Sequence, residues 1–261
     1  MGLLDRWKRT GPQRAPAHFL VDAVPAEPSH GVSSFHLWWE GMNANDPFVG
    51  CSATLEVLTA PTAKKLYFWA LQASFEDSGG RAVGGAHTGL QWNPRFPGGR
   101  AVNWGGYDAS GSTQAVLKGS DSPLPSTPND VNTRDYAWRS GVSYRFDIFR
   151  TGHGWQADVT DLATGTCSEI RTLYPGGDRL TGFVCWSEVF ASCGDPSAVV
   201  RWSDLSATSS SGQVVRPSRV RLSFPSGGDC PNNDTFVDGR TVVQTTNTQR
   251  RSHDGERLRL N

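Results

Sequence analysis

The sequence predicts an all-β chain folded as a two-sheet antiparallel sandwich. Segments of alternating apolar and polar residues recur about every 10–15 positions, the spacing of strands in a sandwich or barrel. The 29 glycines and 16 prolines are spread along the 261 residues, as turn punctuation between strands would be. No convincing long helix interrupts the series, and about twelve strands without helices bury their apolar faces by pairing two sheets.

Residues 1–30 carry Pro12, Pro16, Pro25 and Pro28 and little periodicity, and are expected to form an irregular lead-in to a single domain over 31–261. In 31–40, Phe35, Leu37 and Trp39 share one face. Ala53, Leu55 and Val57 share one side of 51–58. Over 66–76, Tyr67, Trp69, Leu71, Ala73 and Phe75 alternate with Phe68, Ala70, Gln72, Ser74 and Glu76. No Gly or Pro interrupts 62–77, so a helix is the competing reading there. The aromatics and five positions of alternation favour a strand. A hairpin follows in the centre: Tyr144, Phe146 and Ile148, a turn at 151–154 (Thr-Gly-His-Gly), then Trp155, Ala157 and Val159. Asp161 to Gly165 makes the next turn, and strands are expected at 166–173, 180–190, 198–206, 214–224 and 235–245. The Pro/Ser-rich stretch 119–130 and the stretch 226–234 read as loops.

Composition narrows the function. Lys+Arg and Asp+Glu both number 25, so no long-range charge draws the chain to nucleic acid or to an anionic membrane. Arg250, Arg251, Arg257 and Arg259 cluster near the C-terminus and read as a solvated tail. No apolar run approaches the ~18 residues of a spanning helix. The first residues lack the apolar core of a signal peptide, which points to the cytoplasm unless export takes another route. Five cysteines leave at least one unpaired. Cys185 and Cys193 flank an expected strand end and are candidates to pair in an oxidising compartment, with buried free thiols as the alternative. No zinc-ligand spacing occurs, and no cofactor motif is present. The Asp229, Asn232, Asn233, Asp234 and Asp238 group lacks calcium-loop spacing and reads as an Asx-rich turn.

Two stretches combine flat aromatics with directional polar groups. The first is His87-Thr-Gly-Leu-Gln-Trp, followed by Asn103-Trp-Gly-Gly-Tyr107. Sugars stack their C–H faces on rings and give their hydroxyls to amides and carboxylates, so His87, Gln91, Trp92, Asn103, Trp104 and Tyr107 are candidate ligand-binding residues. The competing reading makes Trp92 and Trp104 core and the amides cross-strand partners, because alternation sets Gln91 opposite to Trp92 and Asn103 opposite to Trp104. The second stretch is Val184-Cys-Trp-Ser-Glu-Val-Phe190. Glu188 shares a face with Val184, Trp186 and Phe190, and a carboxylate there needs a partner or a function. Arg201 is the candidate partner. Glycosidases need two carboxylates about 5–10 Å apart; Glu40, Glu188 and Asp204 are the candidates. Neither the Glu-x-Asp-x-Glu pattern of sandwich-fold β-glucanases nor the Gln-Ile/Val-His pattern of sandwich-fold alginate lyases occurs. The hydrolase elbow Gly-x-Ser-x-Gly is absent as well.

His87-x-Gly-Leu-Gln-Trp, Asn-Trp-Gly-Gly-Tyr-Asp108, Trp-Ser-Glu188 and Arg-Trp-Ser-Asp204, in that order, resemble a bacterial and fungal family of jelly-roll domains without assigned catalytic residues. Those domains are similar to the concanavalin A-like lectin and glucanase sandwiches, and the resemblance covers roughly 33–206. It implies a concanavalin A-like jelly roll, with an oligo- or polysaccharide as ligand by fold analogy. The leading expectation is therefore a non-catalytic carbohydrate-binding sandwich. The alternatives are a polysaccharide-cleaving enzyme, hydrolase or lyase, using Glu188, and a structural or protein-interaction domain whose aromatics are simply core.

Overall fold

A computed structural model describes residues 33–109, 115–125, 130–224 and 233–261. The expected lead-in over 1–30 lies outside these residues, as does most of the 226–234 loop. The described chain is an antiparallel β sandwich with a single short 3-10 turn at Pro97–Gly99. Its strands are β1 (Ser33–Glu40), β2 (Phe48–Thr59), β3 (Tyr67–Glu76), β4 (Ala82–Trp92), β5 (Arg100–Asp108), β6 (Thr133–Asp135), β7 (Ser143–Arg150) and β8 (Trp155–Asp161). They continue as β9 (Thr166–Leu173), β10 (Arg179–Val189), β11 (Val199–Ser209), β12 (Val214–Val215), β13 (Arg219–Ser223), β14 (Asn233–Asp238), β15 (Thr241–Thr246) and β16 (Arg257–Arg259).

Two sheets make the layers. The first runs β6-β5-β4-β3-β10-β1-β13-β16, and the second runs β14-β15-β11-β2-β7-β8-β9, with β12 on β11. Among the described residues the ladder pair of Leu180 with Phe48 joins them directly, and bridges of Val116 to Tyr107 and Gly119 to Leu173 link them at another edge. Their facing surfaces hold one core. Leu37, Trp69, Leu71, Phe75, Leu90 and Trp104 of the first sheet meet Leu55, Tyr144, Phe146, Ile148, Trp155 and Trp202 of the second, all buried. Period two explains the partition, because successive side chains leave a strand on opposite faces. The 66–76 segment is a strand, with Tyr67, Trp69, Leu71, Ala73 and Phe75 buried as its alternation requires.

Three of the buried tryptophans satisfy their indole N–H groups on the backbone, and Trp202 donates to the Gln244 side chain. Trp104 donates to the Trp155 carbonyl, Trp155 to Gly177 and Trp138 to Gln91. The central hairpin turns where expected: Thr151 Oγ1 accepts from the Gly154 N–H, and Gly165, at φ +74°, closes the next turn on Asp161.

Four expectations need correction. The single strand over 214–224 is two, since Pro217 has no N–H for a ladder and separates β12 from β13. The strand over 235–245 is a hairpin, turned at Gly239, where φ is +59°. Asn233, Asp234 and Asp238 accordingly lie in β14 rather than in a turn, and Asp234 accepts from both the backbone N–H and the hydroxyl of Ser252. Cys185 does not pair with Cys193: Cys185 is a buried free thiol, while Cys193 is in a disulfide whose partner lies outside the described residues.

Candidate functional site

The outer face of the first sheet, away from the core, can be laid out from its register. One row across the strands reads Arg257, Arg221, Trp38, Val184, Gln72, His87 and Gly105, from β16 to β5. The next row carries His36, Trp186, Ala70, Gly89 and Asn103, and the one beyond it Glu188, Phe68 and Gln91. Strands β1, β3, β4 and β10 therefore bring His36, Phe68, Gln72, His87 and Trp186 together.

These residues line a cleft of about 570 Å³, with Glu188 along its wall and Ser74, Gly84, Gly85, Tyr107, Asp108 and Ala109 at its far end. Glycine shapes it. A Cβ on Gly89 would fall 1.8 Å from the Trp69 carbonyl oxygen, so only glycine lets β4 approach β3 this closely. Gly85 and Gly89 flank His87 along its own strand and add no side chains beside it.

Aromatic rings organise the floor. Trp186 lies 4.9 Å from Phe68 and 5.3 Å from His87, both near perpendicular, and 6.4 Å from His36. These spacings and tilts suit edge-to-face packing. The Trp186 indole donates to Gln72 Oε1 at 3.0 Å, which leaves the amide N–H₂ of Gln72 as a donor for another partner. Both imidazoles resist protonation. Burial pushes His87 down to about 4, and it lowers His36 as well, against a hydrogen bond with the Ser223 backbone. His36 Nδ1 is buried without a protein partner.

The candidates from sequence separate into three groups. His87, Tyr107 and Glu188 line the cleft, and Tyr107 is 46% exposed. Gln91 and Asn103 share the outer face but are buried away from the cleft: Gln91 Oε1 accepts from Asn93, and Asn103 donates to Thr133. The third group is elsewhere. Trp104 is fully buried in the core, so its ring offers no face to a ligand. Trp92 points to the same side, packs on Trp138 at 6.3 Å and donates to the Ala63 carbonyl. Arg201 is not the partner of Glu188. It sits on the second sheet and pairs with Glu56.

The carboxylates do not form a glycosidase pair. Glu188 and Asp108 are three strands apart, about 14 Å across the sheet, and their ladder positions differ by about 23 Å along it. Glu40 lies off the cleft among arginines. Among the described residues no group of three metal-ligating side chains occurs.

No protein-family model and no curated protein matches the chain. Among solved structures, the chain is similar to scytalido-glutamic peptidase bound to a peptide-based transition-state analogue, at 14% identity and a TM-score of 0.44. It is also similar to SCP-B, a member of the eqolisin family of peptidases, at 13% identity and a TM-score of 0.42. Each match covers 84% of this chain and 98% of the other. Similarity at that level carries no inference about chemistry.

Proposed function

We propose that the chain is a polysaccharide-cleaving enzyme, and that the cleft on the first sheet works by proton abstraction at His87 rather than through a pair of carboxylates. The observation that carries this reading is a neutral imidazole at the centre of an open, aromatic-floored cleft. An imidazole held neutral down to about pH 4 is in the unprotonated form a base needs across the physiological range, and the same burial lowers its basicity. The separation of Glu188 from Asp108 argues against double-carboxylate hydrolysis.

A single base suits β-elimination at a uronic acid residue. His87 takes the proton on the carbon beside the sugar carboxylate. The carbon–oxygen bond to the leaving sugar breaks, a carbon–carbon double bond forms, and Tyr107 gives its proton to the departing oxygen. In support of this role, Tyr107 stands diagonal to His87 on the neighbouring strand, a relation that sets positions about 7–8 Å apart. The amide N–H₂ of Gln72 faces the substrate carboxylate, and Trp186 and Phe68 supply apolar surface for a sugar ring. Glu188 takes hydroxyl contacts at the cleft wall.

The test is incubation of the protein and its His87→Gln variant with a panel of polyuronates, neutral polysaccharides and a denatured protein, scoring unsaturated ends, reducing ends and new amino termini. Unsaturated ends, reduced at least about 10²-fold in the variant, support the proposal. Saturable binding without cleavage would make the cleft a carbohydrate-binding site only. Peptide cleavage would replace the saccharide reading altogether.

A further inference from the structure

The basic residues near the C-terminus are not a solvated tail. Arg257 and Arg259 lie in β16, which pairs with β13 so that Arg221 stands opposite Arg257 and Arg219 opposite Arg259. All four occupy the outer face of the first sheet, the face that carries the cleft. Glu40 stands beside Arg219 in the ladder and takes Arg219 Nε at 2.8 Å, Arg257 Nε at 2.9 Å and Arg221 Nε at 3.3 Å. One carboxylate therefore serves three guanidinium groups. Hydrogen bonds from Arg219 and then Arg257 hold the Glu40 carboxyl below the usual carboxylate range, so it stays ionised but offsets one charge only. Arg259 is exposed and has no ion pair among the described residues.

Like charges so close repel one another, and four arginines around the single Glu40 carboxylate favour an anion, with Asp234 and Glu256 lining the neighbouring pocket beside Arg257 and Arg259. Guanidinium groups present planar forks of donors that match carboxylates and sulfates. The patch is also continuous with the cleft. The ladder row runs Arg257, Arg221, Trp38, Val184, Gln72, His87, and Arg221 lies 5.7 Å from the Trp38 ring centre. Four strand spacings place Arg221 about 19 Å from His87.

We propose that this arginine patch is a remote subsite for an anionic polysaccharide, holding the acidic groups of a chain that passes over Trp38 into the cleft. The chain's chemical class rests on the cleavage reading above, whereas the anion site stands on the arginines alone. A ligand long enough to span about 19 Å uses both sites, and a short one fills the cleft only.

The experiment measures binding of a long polyuronate, a short uronate oligomer and a neutral polysaccharide to a His87→Gln background, at low and high salt. It is repeated with Arg219→Gln and Arg259→Gln added together; both side chains are exposed, and Glu40 keeps Arg221 and Arg257. The expected result is a loss of about tenfold or more for the long polyuronate, a weaker salt dependence, and no change for the short oligomer. This holds even if the wild-type protein cleaves nothing, in which case the cleft reading fails and the patch stands. Unchanged affinity for the long polyuronate overturns the proposal, as does stronger arginine-dependent binding of duplex DNA or of an acidic peptide than of the polyuronate.

Discussion

The two outer faces of the sandwich are built from the same strand geometry and are chemically different. On the second sheet, polar side chains answer one another across the ladders. Glu56 pairs with Arg201, Arg145 with Asp147, Ser52 donates to Asp147, and Gln156 donates to Asp158. That is the pattern of a face at rest, with ion pairs and hydrogen bonds joining its polar side chains. On the first sheet the corresponding positions hold Trp38, Phe68 and Trp186, two neutral imidazoles and a cleft, with unbalanced arginines at one end. Phe68 and Trp186 are buried in a small cluster of their own with Ala70 and Val184, apart from the sandwich core, and their edges line the cleft. The contrast teaches where to look for function when a fold buries one face of every strand.

The sharpest way to break this contrast is to remove one tryptophan from each side of the first sheet. Trp104→Ala, in the core, should cost about 3–5 kcal/mol in denaturant unfolding. Trp186→Ala should cost distinctly less and abolish saccharide binding, which titration would show. Equal stability losses would mean that Trp186 is core in all but name. Next in size, Glu56→Ala leaves Arg201 without its carboxylate and should cost about 1–3 kcal/mol by the same unfolding measurement, without touching binding.

A third effect is on pH. An imidazole whose pKa is lower folded than unfolded binds fewer protons in the native state. Stability is therefore full above the unfolded value of about 6.5 and is lost as pH falls toward about 4. His36 acts in the same direction. Urea unfolding at intervals across this window should show the decline, and His87→Gln should make it shallower. The smallest effect is at the rim: Arg81, 81% exposed and paired with Asp77, should lose no more than about 0.5 kcal/mol on change to alanine.

Much of the fold was legible because period two is a strong signal wherever one face is buried. The alternation in 66–76 put all five core residues of β3 on one face and favoured a strand over the competing helix, and the structure has the strand. What escaped was too short or too irregular to show a period. β6 and β16 have three residues each, and a single glycine turned one expected strand into the β14–β15 hairpin.

The site was less legible. His87, Tyr107 and Glu188 stood out as polar or flat residues in distinctive stretches, but His36, Gln72 and Trp186 gather only through ladders between distant strands, and no local pattern encodes those ladders. One signal was present. Strands β1 and β3 carry aromatics on both faces, Trp38 against Trp39 and Phe68 against Trp69, where a strand with one solvated face needs them on one only. Trp92 and Trp104 looked like ligand residues because composition does not say which face is the core.

The most direct test is the pH dependence of kcat/KM for polyuronate cleavage by the wild-type protein. An imidazole base in the cleft at the value burial gives it predicts an acid limb near pH 4, with activity sustained through pH 5 to 7. An acid limb near 6.5, the value of a freely solvated histidine, would contradict a buried neutral His87 as the proton acceptor.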